Sequence, residues 1–182
     1  MPCLPCHGHD TKEGAMDKIL SGEQLKKRIE TLKGEGKRIV FTNGCFDILH
    51  VGHVKYLNLA KELGDILILA LNSDSSVRSI KGPLRPVVPQ DERAYIMASL
   101  DMVDYVTIFD EDTPLALIEY IEPDILVKGG DWSENDVVGR ESVEKRGGKV
   151  VIIKQFNESS TDHPASTTNI IRKIINVYKG DS

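Results

Sequence analysis

The residues Phe46-Asp47-Ile48-Leu49-His50-Val51-Gly52-His53 follow directly on the run Arg38-Ile39-Val40-Phe41-Thr42. Two histidines flanking a glycine, where a strand turns into a helix, are equipped to hold phosphate. A helix opening near Val51 offers backbone N–H groups without carbonyl partners and the positive end of its dipole. Gly52 lets a ligand approach the backbone with no side chain in the way. Imidazoles three residues apart share a helical face, so His50 and His53 can reach one phosphate. Zinc pairs on a helix prefer i,i+4 spacing with further ligands, so a metal centre fits the pattern less well. Asp47 has three readings: assistance to a magnesium ion, orientation of His50, or a turn residue bonded to its own backbone.

A phosphate site also needs cations. Lys81, Arg85, Arg93 and Lys128 lie in segments expected at the same rim. Gly82-Pro83 and Arg85-Pro86 read as a mobile flap carrying Lys81 and Arg85. Arg93 falls in the first turns of the helix after that flap, where a cation opposes the dipole and a ligand phosphate would account for it. Ser166-Thr167-Thr168 offers hydroxyls and N–H groups at the start of the last helix, as a phosphate contact or a plain N-cap. Cys45 reads as a small packed residue, because no base is implied beside it except the two histidines.

These residues must be positioned by a scaffold, and its pattern is regular. Ser21 to Gln24 forms a capping box ahead of Leu25, Ile29 and Leu32 on one helical face. Apolar strands are expected at 38–42, 66–71, 105–109, 125–127 and 150–153. Ile66 to Leu71 is continuous in the manner of a strand buried on both faces. Helices are expected over Val54 to Leu63, Pro89 to about Leu100, from Asp112-Thr113-Pro114 with a polar cap, near Glu141 to Arg146, and from Ile170 to about Tyr178 behind a Thr167-Thr168-Asn169 cap. Strands alternating with helices predict an α/β fold with a parallel sheet covered on both faces. Ligands in such folds bind at the carboxyl ends of strands. Asn43 to His53, Asn72 to Lys81, Lys128 to Asp131 and Ser166 to Thr168 all follow strand ends.

The bulk properties narrow the class. A chain of 182 residues, 40% hydrophobic and 28% charged, has the composition of an ordinary globular protein of one domain. Its net charge of −5 argues against a general nucleic-acid binder. No apolar stretch approaches the roughly 20 residues of a membrane span, and the N-terminus lacks a signal core. A cytoplasmic location is expected, with the cysteines reduced. Cys3-Leu4-Pro5-Cys6-His7-Gly8-His9 matches a C-x-x-C-H haem attachment and half a zinc site. The missing export signal and the short His7/His9 spacing argue against both, so residues 1–16 are expected as a disordered extension and 17–182 as the domain.

The combination of Cys45-Phe46-Asp47, His50-Val51-Gly52-His53 and Ser166-Thr167-Thr168 resembles the cytidylyltransferase-like nucleotidyltransferase superfamily. Phe41 to His50, Leu71 to Val77, Phe109 to Pro114, Pro123 to Asp131 and Ser166 to Ile171 further resemble the heptose-1-phosphate adenylyltransferases, in the same order, across about Ser21 to Tyr178. The resemblance implies a Rossmann-like α/β/α sandwich in which ATP and a sugar 1-phosphate give an ADP-sugar and pyrophosphate, for lipopolysaccharide core precursors. The sugar phosphate would attack the α-phosphorus of ATP with no covalent enzyme intermediate, and Mg2+ would offset the triphosphate charge.

By the same resemblance His50 and His53 contact the triphosphate, Lys81 bridges the phosphates and Arg93 supports the leaving or attacking group. Asn43, Gly44, Cys45 and Phe46 shape the nucleotide cradle, with Asp47, Gly52, Asn72, Asp74, Lys128 and Gly129 also on the nucleotide side. Asp131 lies near the ribose or base, Ser166, Thr167 and Thr168 close on the β/γ phosphates, and Lys55 and Arg85 face the sugar phosphate. A separate sugar kinase and a homo-oligomer are expected.

Two departures stand out. The acidic and polar loop Asn157 to Ala165 replaces the Gly-Tyr or Arg-bearing turn of many relatives, and Asp131-Trp132 is similar to glycerol-phosphate cytidylyltransferases. A cytidylyltransferase acting on glycerol 3-phosphate, and a nucleotide-binding sensor without catalysis, are the competing readings.

Overall fold

The computed structural model describes residues 14–130, 133, 136–154 and 166–179. Asp131, Trp132, the loop 157–165 and the Cys/His segment near the N-terminus lie outside the described residues. A 3-10 turn, Ala15–Lys18, starts inside the segment expected as an extension, and Ile19 then bridges to Val106.

The elements are α1 (Gly22–Gly34), β1 (Ile39–Gly44), α2 (Val51–Lys61), β2 (Ile66–Asn72), α3 (Asp74–Lys81), α4 (Gln90–Ala98), β3 (Tyr105–Phe109), α5 (Leu115–Ile121), β4 (Ile125–Gly129), α6 (Arg140–Lys145), β5 (Lys149–Ile153) and α7 (Thr167–Lys179). The five strands pair in parallel in the order β3-β2-β1-β4-β5. This is the expected Rossmann-like sandwich. The chain winds outward from β1 to β3 on one side, then returns to β4 and β5 on the other. The topological switch point is therefore the crevice between the carboxyl ends of β1 and β4, where such folds bind ligands.

Alternation along the strands feeds two cores. Ile39 and Phe41 of β1, with Ile68 and Ala70 of β2, face Leu25, Ile29 and Leu32 of α1 and Ile118 and Ile121 of α5. Val40, Leu67, Leu69 and Leu71 face the opposite way, toward Leu57 and Ala60 of α2 and Ala94, Met97 and Ala98 of α4. Each large apolar side chain fully buried here contributes about 1.5–3 kcal/mol. That is why β2 reads as an unbroken apolar run from Ile66 to Leu71. The capping box forms: Ser21 Oγ accepts from the Gln24 amide, and Gln24 Oε1 accepts from the Ser21 amide.

Three local expectations need correction. Helix α3 follows β2 directly, with Ser73 Oγ accepting from the Ser76 amide, so the flap is confined to the residues after Lys81. Helix α5 starts at Leu115 without a side-chain cap, its first turn closing on the Pro114 carbonyl. Helix α7 starts at Thr167 and is capped by Ser166 Oγ, which accepts from the Asn169 amide, instead of by Thr167-Thr168-Asn169.

Candidate active site

Beyond β1 the chain must reverse within a few residues to enter α2. Phe46 takes a left-handed backbone (φ +42°), and its ring folds back over the strand end. A Cβ on Gly44 would stand 2.9 Å from that ring, so a side chain there would force the ring to move. His50 is the N-cap residue of α2 and makes no side-chain capping bond; its carbonyl accepts from the His53 amide at 2.9 Å. Gly52 lies in the first turn of α2, whose leading amides lack helical carbonyl partners.

The two imidazoles stack with centroids 3.7 Å apart and planes 23° inclined, and Phe46 packs 4.9 Å from His53. Nδ1 of both histidines is buried with no hydrogen-bond partner among the described residues. Burial lowers the pKa of His50. Burial and the neighbouring His50 bring His53 to about 4. Both rings are thus neutral at neutral pH. An unpaired buried polar atom costs free energy, and a ligand oxygen would recover it.

Across the switch point Lys128 of β4 donates its ammonium to Asn43 Oδ1 of β1. Burial lowers the Lys128 pKa to about 8. Gly129 follows, and a Cβ there would stand 2.9 Å from the Tyr56 ring. Tyr56 donates to the Val127 carbonyl at 3.2 Å and lies 2.6 Å from Thr42 Oγ1, which pins α2 to both strands of the crevice. Sequence reading missed Tyr56 and Thr42. The available signal was position, since Tyr56 lies one helical turn beyond His53 on the same face.

Arg93 departs from its expected place. Its side chain is 0% exposed, and its donors serve the protein: Nε to the Val88 carbonyl, Nη1 to Cys45, Nη2 to the Asn72 carbonyl and Asp74 Oδ1, at 2.6–3.0 Å. A carboxylate and three carbonyls, and no ligand phosphate, account for a cation in the first turns of α4. Asp74 is correspondingly engaged, and buried Asn72 donates from Nδ2 to Ser76 Oγ. Asp47 also departs from its readings. Its carboxylate, 1% exposed, accepts from Arg85 Nε at 2.6 Å and from the Val87 and Val88 amides at 2.8–2.9 Å. Burial alone would raise its pKa; those three donors outweigh it and lower the pKa. The carboxylate is thus engaged by the flap, and it makes no hydrogen bond to His50 or to its own turn among the described residues.

Lys81 is exposed at the end of α3, and Gly82, with φ +95°, terminates the helix. The Cys45 thiol pKa is raised by burial, against the pull of nearby Lys81, Arg93 and Arg85, so the thiol stays protonated and packed. Thr167 Oγ1 donates to the Ile48 carbonyl at 3.4 Å, which brings the start of α7 to the histidine turn. Thr168 is exposed beside it, and Lys55 is exposed on α2. The contacts thus form three groups: Asn43 with Lys128, Asp47 with Arg85, and the His50–His53 turn with Thr167 of α7. Among the described residues no group of three or more His, Cys, Asp or Glu side chains could hold a metal ion, and no helix is long and apolar enough to cross a membrane.

The family model described as cytidylyltransferase-like matches residues 41–173, from β1 into α7. The chain belongs to the cytidylyltransferase-like family. Among curated members, the bifunctional protein HldE of Syntrophotalea carbinolica is 52% identical over 162 residues, covering 89% of this chain and 32% of that protein. HldE of Citrifermentans bemidjiense is 54% identical over 171 residues, covering 94% and 34%. The chain therefore spans about a third of the length of these relatives. The solved lipopolysaccharide core biosynthesis protein of Thermoplasma volcanium superposes with a TM-score of 0.57 at 29% identity, covering 68% of this chain and all (100%) of that one. A pantoate-beta-alanine ligase from Francisella tularensis, solved with a beta-gamma ATP compound and beta-alanine, gives 0.57 at 16% identity over 88% and 77%, a likeness of fold alone. Within the cytidylyltransferase-like family the histidine turn, the Lys128 strand end and the Ser166 helix start fall inside the matched span.

Proposed function

We propose that this cytidylyltransferase-like chain is a cytoplasmic adenylyltransferase that moves AMP from ATP to D-glycero-D-manno-heptose 1-phosphate, releasing pyrophosphate. One observation carries the reading: the stacked His50–His53 pair, with both Nδ1 atoms buried and unpartnered, at the helix start beside the switch point. The motif resemblance to heptose-1-phosphate adenylyltransferases supports the acceptor, as does the 52–54% identity to bifunctional HldE proteins. The likeness to a lipopolysaccharide core biosynthesis protein points the same way.

An oxygen of the sugar phosphate attacks the α-phosphorus, the bond to the β-phosphate oxygen breaks, and pyrophosphate leaves. Two negatively charged reactants must be held together, so catalysis is positioning and charge stabilisation. The neutral imidazoles and the α2 amides meet the triphosphate oxygens, and Lys128 brings positive charge from the β4 side. Lys81 reaches in from the end of α3, and the α7 start closes over the β/γ phosphates. Magnesium enters with ATP as part of the substrate, held by phosphate oxygens and water. A kinase acting at the sugar C1 must supply the acceptor.

The test is pyrophosphate release by the purified protein with magnesium, ATP or CTP, and heptose 1-phosphate or glycerol 3-phosphate. Release with ATP and heptose 1-phosphate alone is expected. Turnover with CTP would transfer the chain to the cytidylyltransferase reading, and ATP binding with silence in every pairing would favour another acceptor or the sensor.

A further inference from the structure

The Asp47 carboxylate is the most heavily committed acid beside the histidine turn. It lies one residue past the strained Phe46 and three before His50, yet its bonds run across to the flap. The Val87 and Val88 amides close on it, and Arg85 reaches it through Nε alone. The Nη atoms of Arg85 make no hydrogen bond among the described residues, and the side chain keeps 19% of its surface exposed. An Arg held at one edge presents its other donors as a fork suited to two phosphate oxygens.

We propose that Asp47 is a positioning residue: it latches the flap to the histidine turn and orients the Nη fork of Arg85 toward the anionic acceptor. The acceptor assignment rests on the reaction proposed above; the latch itself does not. Since the latch joins residues 38 apart to the turn that ends in His50, the flap and the triphosphate site move as one body. Asp47 then sets where the second substrate sits, although it touches neither substrate.

Two measurements on the full chain test this. Amide hydrogen exchange reads the latch without any activity. In Asp47→Asn and Asp47→Ala the Val87 and Val88 amides should exchange roughly tenfold faster or more, while α1 keeps its protection and reports an intact fold. Unchanged protection of Val87 and Val88 in both variants overturns the latch.

Steady-state kinetics read the orientation. Asp47→Asn and Arg85→Ala should each raise KM for the sugar phosphate roughly tenfold, with KM for ATP within about twofold, and the double variant should be no worse than the poorer single one. Additive effects, or a rise in the ATP KM with Asp47→Asn alone, would place Asp47 on the nucleotide and overturn the orienting role. If the wild-type chain turns over no acceptor, the reaction assignment fails, and the exchange experiment still decides the latch.

Discussion

His50 and His53 lie ring on ring, 3.7 Å between centroids, because one residue caps α2 while the other completes its first turn. Neither Nδ1 has a hydrogen-bond partner among the described residues. Removing either ring should leave the fold intact and lower kcat roughly 10²–10³-fold, the usual loss for one transition-state donor. Near-wild-type turnover by both His50→Ala and His53→Ala would end the catalytic assignment.

The same burial ties stability to pH. The His53 pKa falls from 6.5 to about 4 in the folded chain, and that of His50 is lowered too. Between the folded and unfolded values the unfolded chain binds more protons. The contribution of these rings is therefore full above the unfolded value and is lost as pH falls from about 6.5 toward 4. Thermal midpoints across that window should fall less steeply for a His50→Gln/His53→Gln double variant than for the wild type. Equal slopes would mean that the rings are not buried as neutral groups.

Lys128 works on the alkaline side. With a pKa near 8 its ammonium is charged below that value and neutral above it. The kcat/KM for ATP, which reports free-enzyme ionisations, should decline as pH rises past about 8. Lys128→Met should start lower and lose that limb. A limb that survives the substitution belongs to another group.

Arg93 joins the ends of β1 and β2, the flap and α3 through four bonds while fully buried. Truncation strands Asp74 and three carbonyls. Leaving a buried carbonyl unpaired costs about 1–3 kcal/mol, which lowers the melting temperature of a domain this size by several degrees. Arg93→Met should show that loss in calorimetry. A variant that melts like the wild type but fails to turn over would return Arg93 to direct contact with substrate.

The sequence by itself determined the parallel sandwich, because strand patterns alternate with helical ones throughout and runs such as Ile66 to Leu71 are apolar on both faces. It also determined the histidine pair, whose placement is local: two residues three apart at the start of one helix. The partners of the charged residues were decided by tertiary structure alone. Asp47 meets Arg85 from 38 positions away, Arg93 meets Cys45 from 48, and Lys128 meets Asn43 from 85. No periodicity encodes those pairings: Lys128 meets Asn43 only because β4 pairs beside β1, and Asp47 and Cys45 meet Arg85 and Arg93 only because the flap and α4 fold back over the end of β1. A lone Arg in the first turns of a helix has the same sequence whether it faces a ligand or the protein's own carboxylate and carbonyls. Burial and the geometry of the acceptors around it choose between them.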